Sequence, residues 1–457
     1  MGFNALLSDT TGENNTAVGS FALLNNTTGT ANTAIGELVL WANTTGSANT
    51  AVGVDAMVNN TTGHDNTVIG GSALAGNTTG IDNTAVGGEA LGHMTVGDGN
   101  TAVGRFTLDQ NQGNYNTATG FQALLNNTAD NNVAYGAYAL FSNTTGDSNT
   151  ATGFQALYSN TTGIRNTADG YLALASNTTS TRNTALGFQA LTLNTIGDSN
   201  TAIGDDALFF NTTGSSNMAS GKNALLNNTT GNQNTANGLA ALNGNTTGSN
   251  NIALGFNAGL NLTTGSFNID IGNAGVAGES RTIRIGTMPS QKNTFVAGIF
   301  NVAVTGSTVV VNSNGKLGVT ASSARLKQDI KPMDKASEAI HALKPVTFCY
   351  KKEIDADAIP QFGLIAEDVE KINPDLVARD SDGKAFTVRY EAVNAMLLNE
   401  FLKQRNEFIK EHQKVQRLEA ALAEVNERLK AQDAKIDKVN AKVELTNPAP
   451  QIVVNDQ

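Results

Sequence analysis

Cysteine, proline, aromatics and charge are all scarce in this chain of 457 residues. It has one cysteine, seven prolines, 6% aromatic and 15% charged residues. A lone Cys349 excludes an intrachain disulfide, so stability outside a cell has to come from another source, such as a large repetitive interface. No stretch approaches the roughly 20 apolar residues of a membrane helix, and no membrane insertion is expected of this sequence. Met1 to Leu7 lack the basic start and apolar core of a signal peptide. Basic residues are rarest of all in the first 280 positions, with four (Arg105, Arg165, Arg182, Lys222) against seventeen acidic ones. That balance excludes the clustered Lys and Arg that grip phosphate, so no nucleic acid partner is expected. The acidity argues for solubility instead.

What the chain does have is repetition. Asn-Thr-Ala-x-Gly begins at Asn15, Asn32, Asn49, Asn66, Asn83 and Asn100, and recurs, at times degraded, at ten further places to Asn268. The step is 17 residues except for two steps of 16 around Asn116. The unit reads N-T-A-x-G-x-x-A-L-x-x-N-T-T-G-x-x, and Phe3 to Gly12 fit its second half, so the chain reads as beginning inside a repeat and as a piece of something longer. A short fixed period predicts a solenoid whose units bury their apolar faces against their neighbours. Alternation in N-T-A-x-G fits a strand, while the Asn and Gly of N-T-T-G fit turns because both tolerate positive φ. Two short strands per repeat are expected. The recurring Ala17, Ala34 and Ala51, with the Gly two places on, predict a tight interior. A coil this small has little core of its own, which predicts three chains sharing one. Sixteen coils at strand spacing give a rod of roughly 75–80 Å.

Asn-Thr-Ala-Val-Gly at 15–19 and Asn-Thr-Ala-Ile-Gly at 32–36 resemble the head repeats of trimeric autotransporter adhesins. That resemblance implies a trimeric, left-handed parallel β-roll. The many N-x-T sequons read as turns of the repeat rather than glycosylation sites. His64 and His93 have no ligand partner at metal spacing and read as turn residues. Neither a metal nor a cofactor is expected.

Beyond residue 275 the 17-residue period stops. Residues 276–320 read as a β connector, with short strands at Thr282 to Gly286 and Thr308 to Val311 and a turn at Asn312 to Gly315. Asn314-Gly315-Lys316 resembles the end of a phosphate-binding loop but lacks the upstream Gly and the following Ser or Thr, so a hairpin is expected.

Residues 321–405 have the composition of an α+β domain. Ser322-Ser323-Ala324-Arg325-Leu326-Lys327, Leu343-Lys344-Pro345-Val346-Thr347-Phe348 and Phe362-Gly363-Leu364-Ile365-Ala366-Glu367-Asp368-Val369 follow one another, then Asn373-Pro374-Asp375 and Val388-Arg389-Tyr390. Their order and spacing resemble the C-terminal intramolecular chaperone domain of endosialidases and phage tail spikes, the S74 peptidase family. The resemblance implies a domain that sets three chains in register and then releases itself. It assigns Ser322 as nucleophile and Lys327 as base, with the bond between Ala321 and Ser322 cut. The chemistry suits both residue types: a serine hydroxyl needs a base to take its proton, and a lysine serves as one only when burial or nearby positive charge favours its neutral form. Ser323 stands where the family has Asp, which leaves two adjacent hydroxyls. The bland reading of the same six residues is a polar linker. Glu367, Asp368 and Glu370 read as the charged side of an amphipathic helix, with Leu364, Ile365 and Val369 inward. His341 is expected on a helix packed on a sheet, and Cys349 in a strand.

From Glu391 no Gly or Pro interrupts the sequence until Pro448. Val415, Leu418, Leu422, Val425, Leu429, Ile436, Val439 and Val443 follow heptad a and d spacing, with Gln432 the one polar position. A coiled coil is expected over 406–446 and a disordered tail over 447–457. The expectation is therefore a mainly β fold: a trimeric solenoid shaft (1–275), a β connector, an S74-type chaperone domain and a coiled coil. Such a homotrimer serves as a phage tail fibre or bacterial surface fibre that meets a cell-surface glycan or protein. A glycan-degrading spike and a self-releasing membrane-anchored regulator are the alternatives. Against the first, the shaft lacks the clustered carboxylates of sugar cleavage.

Overall fold

A computed structural model describes residues 2–291, 293–296, 305–312, 314–380 and 382–446. The expected tail at 447–457 lies outside them. The chain divides into two compact units, residues 1–296 and 297–457.

The first unit is a parallel β-solenoid of about sixteen coils. Its sheet holds seventeen three-residue strands, from Thr16–Val18 to Ile283–Ile285. Register is exact in sequence terms: Thr16, Ala17 and Val18 face Thr33, Ala34 and Ile35, and so on up the stack. The two 16-residue steps keep it, because the residue is lost from a turn. Asn111 and Asn116, like Asn127 and Asn132, are five apart where other coils have six. Each coil thus has one strand, not the two expected. The Ala-Leu segment, though apolar, bends.

The reason lies in the backbone of that segment. Phe21 and Leu23 both take positive φ (61° and 51°), as does Ala31 before the next Asn, and the pattern repeats at Leu38, Leu40 and Ala48. Left-handed conformations cost L-residues about 1–2 kcal/mol each. Here they point N–H groups along the solenoid axis. The Phe21 N–H donates to the Phe3 carbonyl of the preceding coil (2.8 Å), and Leu23 to the Val39 carbonyl of the next (3.0 Å). Turns as well as strands are therefore bonded from coil to coil, which satisfies backbone groups that a surface loop would give to water.

Each coil closes its own interior. Ala34, Leu40, Asn32 and Asn43 are fully buried, and their equivalents recur along the shaft. The expected core shared by three chains is absent from this arrangement, because inward side chains meet their own coil and the coils above and below. Two buried asparagine rows do much of the filling. The Asn43 amide donates to Asn26 Oδ1 (2.8 Å) and to the Gly46 carbonyl (3.0 Å). In the second row Asn49 donates to Asn32 Oδ1 and to the Gly63 carbonyl (2.9 Å). The Asn of N-T-T-G is thus a buried hydrogen-bonding group rather than a positive-φ turn residue, and its amide is withdrawn from glycosylation. Its Gly is needed for closeness: a Cβ on Gly46 would lie 2.4 Å from both Asn43 Oδ1 and the Gly63 carbonyl oxygen.

In the second unit, Val310–Val311 and Leu317–Gly318 form the expected hairpin, its turn held by the Asn312 carboxamide accepting from the Asn314 and Lys316 N–H groups (both 3.0 Å). Two further antiparallel pairs follow, Val346–Phe348 with Gln361–Gly363 and Val377–Arg379 with Ala385–Val388. Helix α1 (Ala366–Ile372) buries Val369, and helix α2 (Tyr390–Thr446) runs for 57 residues. Val369, Leu376, Val377, Val388, Val393 and Met396 make the small core.

Candidate functional site

Ser322 precedes a short 3-10 turn, Ala324–Leu326, and Lys327 follows it. The turn is closed by the Leu326 N–H to the Ser323 carbonyl (3.0 Å) and the Lys327 N–H to the Ala324 carbonyl (3.1 Å). It bends the chain between the two residues, as their spacing requires if they are to meet. In the single chain, Ser322, Ser323 and Lys327 are all exposed, and among the described residues no hydrogen bond joins their side chains. The structure therefore supplies the bend, but not the covered environment that makes a lysine a base.

Helix α1 presents Glu367, Asp368 and Glu370 outward. Asp368 pairs with Lys371 (2.8 Å), which holds its carboxyl below the usual range, and Glu370 pairs with Arg379. Val369 points inward as expected, whereas Ile365 is exposed. Cys349 lies just past the strand Val346–Phe348 and is exposed.

A polar cluster that sequence reasoning missed sits where the 3-10 segment Asp334–Ala342 packs on α2. His341 belongs to it, so its support is helix α2 and not a sheet. Its Nε2 lies 2.9 Å from Glu400 Oε2. Ser337 is buried, donates to Glu400, and accepts from Asn399 Nδ2 (2.6 Å) and Lys403 Nζ (3.3 Å). Lys403 also donates to Glu400 Oε1 (2.6 Å). The hydrogen bond from Lys403, followed by those from Ser337 and His341, lowers the Glu400 carboxyl to about 2. Lys403 is three residues along the same helix, but His341 and Ser337 lie 59 and 63 residues away in sequence, and nothing local signals them. A hydroxyl already committed to a carboxylate and closed from solvent is a fastening rather than a nucleophile, and the cluster ties the start of α2 to the domain.

The shaft ends in another charged arrangement. Asp270 occupies the inward strand position that Ala holds in most coils, and neither of its oxygens has a hydrogen-bond partner among the described residues. Arg284 stands in register with it one coil on, but its guanidinium is engaged by Glu279 (Nη2 to Oε2 2.7 Å). Burial, and then the Glu279 charge, push the Asp270 carboxyl up to about 6 against the pull of Arg284.

No group of three metal-ligating side chains occurs among the described residues, and none of their helices is long and apolar enough to cross a membrane. Residues 322–378 match the family model for the peptidase S74 domain, the chaperone of endosialidase. The match begins at Ser322. No curated protein and no solved structure matches the chain.

Proposed function

We propose that this chain is the subunit of a trimeric fibre of a phage tail or bacterial surface, assembled under the control of its C-terminal domain and then cut before Ser322. The observation that carries the reading is the joining of a chaperone-of-endosialidase domain to a long solenoid. A stack of near-identical coils is prone to slip by whole repeats, since a shift of 17 residues matches most contacts again. A domain that fixes register at one end answers that hazard. Helix α2 supports the same reading: Leu418, Leu422 and Leu429 are each at least half exposed along one heptad row, a row that neighbouring copies would cover as a coiled coil.

In the cleavage step Lys327 takes the Ser322 proton while Oγ attacks the Ala321 carbonyl. The Ala321–Ser322 bond breaks, the amine of residue 322 leaves with a proton, and water releases the ester. A neighbouring chain would cover Lys327 in the trimer, so cutting waits on assembly. The fibre then offers its shaft to a cell-surface glycan or protein.

The test is the intact mass of the purified chain beside its Ser322→Ala variant. Products of 1–321 and 322–457 from the first and an uncut second are expected. Cutting in both would move the nucleophile to Ser323 or to a contaminating protease, and an uncut pair would leave the domain as a permanent clamp.

A further inference from the structure

Outward positions of a solenoid strand should be polar when water covers them. Here they are not. Val18, Ile35, Ile69 and Val103, all at the third strand position, are 37–50% exposed. Where that position turns polar, as at Thr119, Thr152 and Asp169, a large apolar residue takes over two places on: Phe121, Phe154 and Tyr171, each at least 40% exposed. Asn237 and Leu239 repeat the exchange. In the coil where both positions are polar, Ser220 and Lys222, the first strand position supplies it instead, with Met218 52% exposed in place of the usual Thr. The strand ends at the third position and the substitutes two places on follow the next Gly, so they flank the strand rather than continue it. The exchanges still leave an exposed apolar side chain in one coil after another within two residues of the third strand position, a row that follows the outer side of the sheet.

The row is a poor sugar platform. Phe154 and Tyr171 stack at 5.6 Å and 13°, and Tyr171 and Phe188 at 5.2 Å and 8°. Their faces cover one another, leaving edges outward, whereas a pyranose ring needs a face. Area points elsewhere. About half of one large side chain per coil gives on the order of 1,000 Å² over the shaft, more than the about 800 Å² per partner of a stable interface. A partner must also repeat at the strand spacing over the whole length, which another copy of this shaft does.

We infer that shafts pack side by side along this row, in parallel and in register, each chain keeping its own core. This rests on the trimeric reading above and assigns the surface that the trimer uses. Lys222, paired with Asp205 at 2.9 Å beside the row, is neutralised within its own chain and so does not repel its copies.

Single cysteines placed in the full Cys349→Ser chain test it, using a short bismaleimide and sedimentation to count chains. Ile35→Cys and Ile203→Cys lie on the row, and Val96→Cys and Ile196→Cys, more exposed in the single chain, lie on turns away from it. Row cysteines should link into covalent pairs at least about ten-fold faster, as thiols held at millimolar effective concentration do. A chain that sediments as a trimer while row and turn cysteines link alike would overturn the assigned surface and leave the trimer standing. A chain that sediments as a monomer would overturn both. Circular dichroism of each variant confirms that the solenoid is intact.

Discussion

A typical coil of the shaft hides two Ala, a Leu and two Asn completely within one chain, whereas the described residues of the C-terminal unit bury six apolar side chains and two polar ones. The shaft's interior is finished in a single copy. The C-terminal unit instead carries two-stranded sheets, which are marginal alone, and a helix whose heptad row faces outward. The difference separates two jobs. Coils need only their own neighbours to hold them, so the shaft can fold by stacking, while the C-terminal unit is completed only by something that covers α2. On the function proposed above, register and copy number would belong to the second region and length to the first.

Glycine substitutions should break this contrast most sharply. Gly153 has φ of +125°, and a Cβ there would lie 2.5 Å from the Gly170 carbonyl oxygen, a backbone atom that cannot step aside. Gly318 in the C-terminal hairpin has no neighbour within 4 Å of that point. Gly153→Ala is expected to destabilise the shaft by about 4 kcal/mol or more, and Gly318→Ala to change stability by no more than about 0.5 kcal/mol. Calorimetry of the full chain measures both. Equal effects would mean that the coils are looser than described.

The buried asparagines come next. Asn160 donates to Asn143 Oδ1 (2.7 Å) and the Gly163 carbonyl (3.0 Å), and accepts from Asn177 (2.7 Å). Asn160→Ala strands several of these partners away from water, at a cost of about 3 kcal/mol. Asn399→Ala, at the edge of the C-terminal cluster where water can replace the amide, should cost about 1 kcal/mol. A denaturant series with each variant gives the comparison, and an Asn160 effect no larger than that of Asn399 would refute the ladder's structural role.

How much of this was legible in the sequence follows from how local each signal is. The period and the inward Ala are local, and they predicted a stacked solenoid with a tight interior, while its parallel strands were implied only by the adhesin resemblance. One strand per coil was not legible, because the bend at the Ala-Leu segment depends on Leu23 and its equivalents taking positive φ, a conformation leucine avoids unless coils above and below bond to its N–H. The Asn row of N-T-T-G was misread for a similar reason: a side chain that bonds the next coil looks, in one repeat, like a turn residue. In the second unit, Ser322 and Lys327 came from a motif and remain tied to it, whereas Ser337, His341, Glu400 and Lys403 converge only through the packing of α2.

The smallest expected effect tests the two regions by pH, and its sign differs between them. Asp270 is raised from 3.8 to about 6 by burial and then by Glu279. The folded shaft end therefore holds a proton more tightly than the unfolded chain. Stability from this group is fully present below pH 3.8 and is lost as pH rises through 6. Glu400 is lowered from 4.5 to about 2 by Lys403, Ser337 and His341. Its contribution is present above pH 4.5 and is lost as pH falls through 2. Hydrogen exchange, corrected for its intrinsic pH dependence, should thus speed up in residues 266–286 between pH 4 and 7, and around residues 334–342 between pH 4.5 and 2. Asp270→Ala restores the residue found in most other coils, removes an unpartnered carboxylate and should stabilise that end by about 1–3 kcal/mol above pH 6. Glu400→Gln should flatten the acid response alone. If residues 266–286 exchange at a constant corrected rate across pH 4 to 7 in the parent chain, Asp270 has a partner that keeps it charged, and Arg284 rather than Glu279 would be the group to follow.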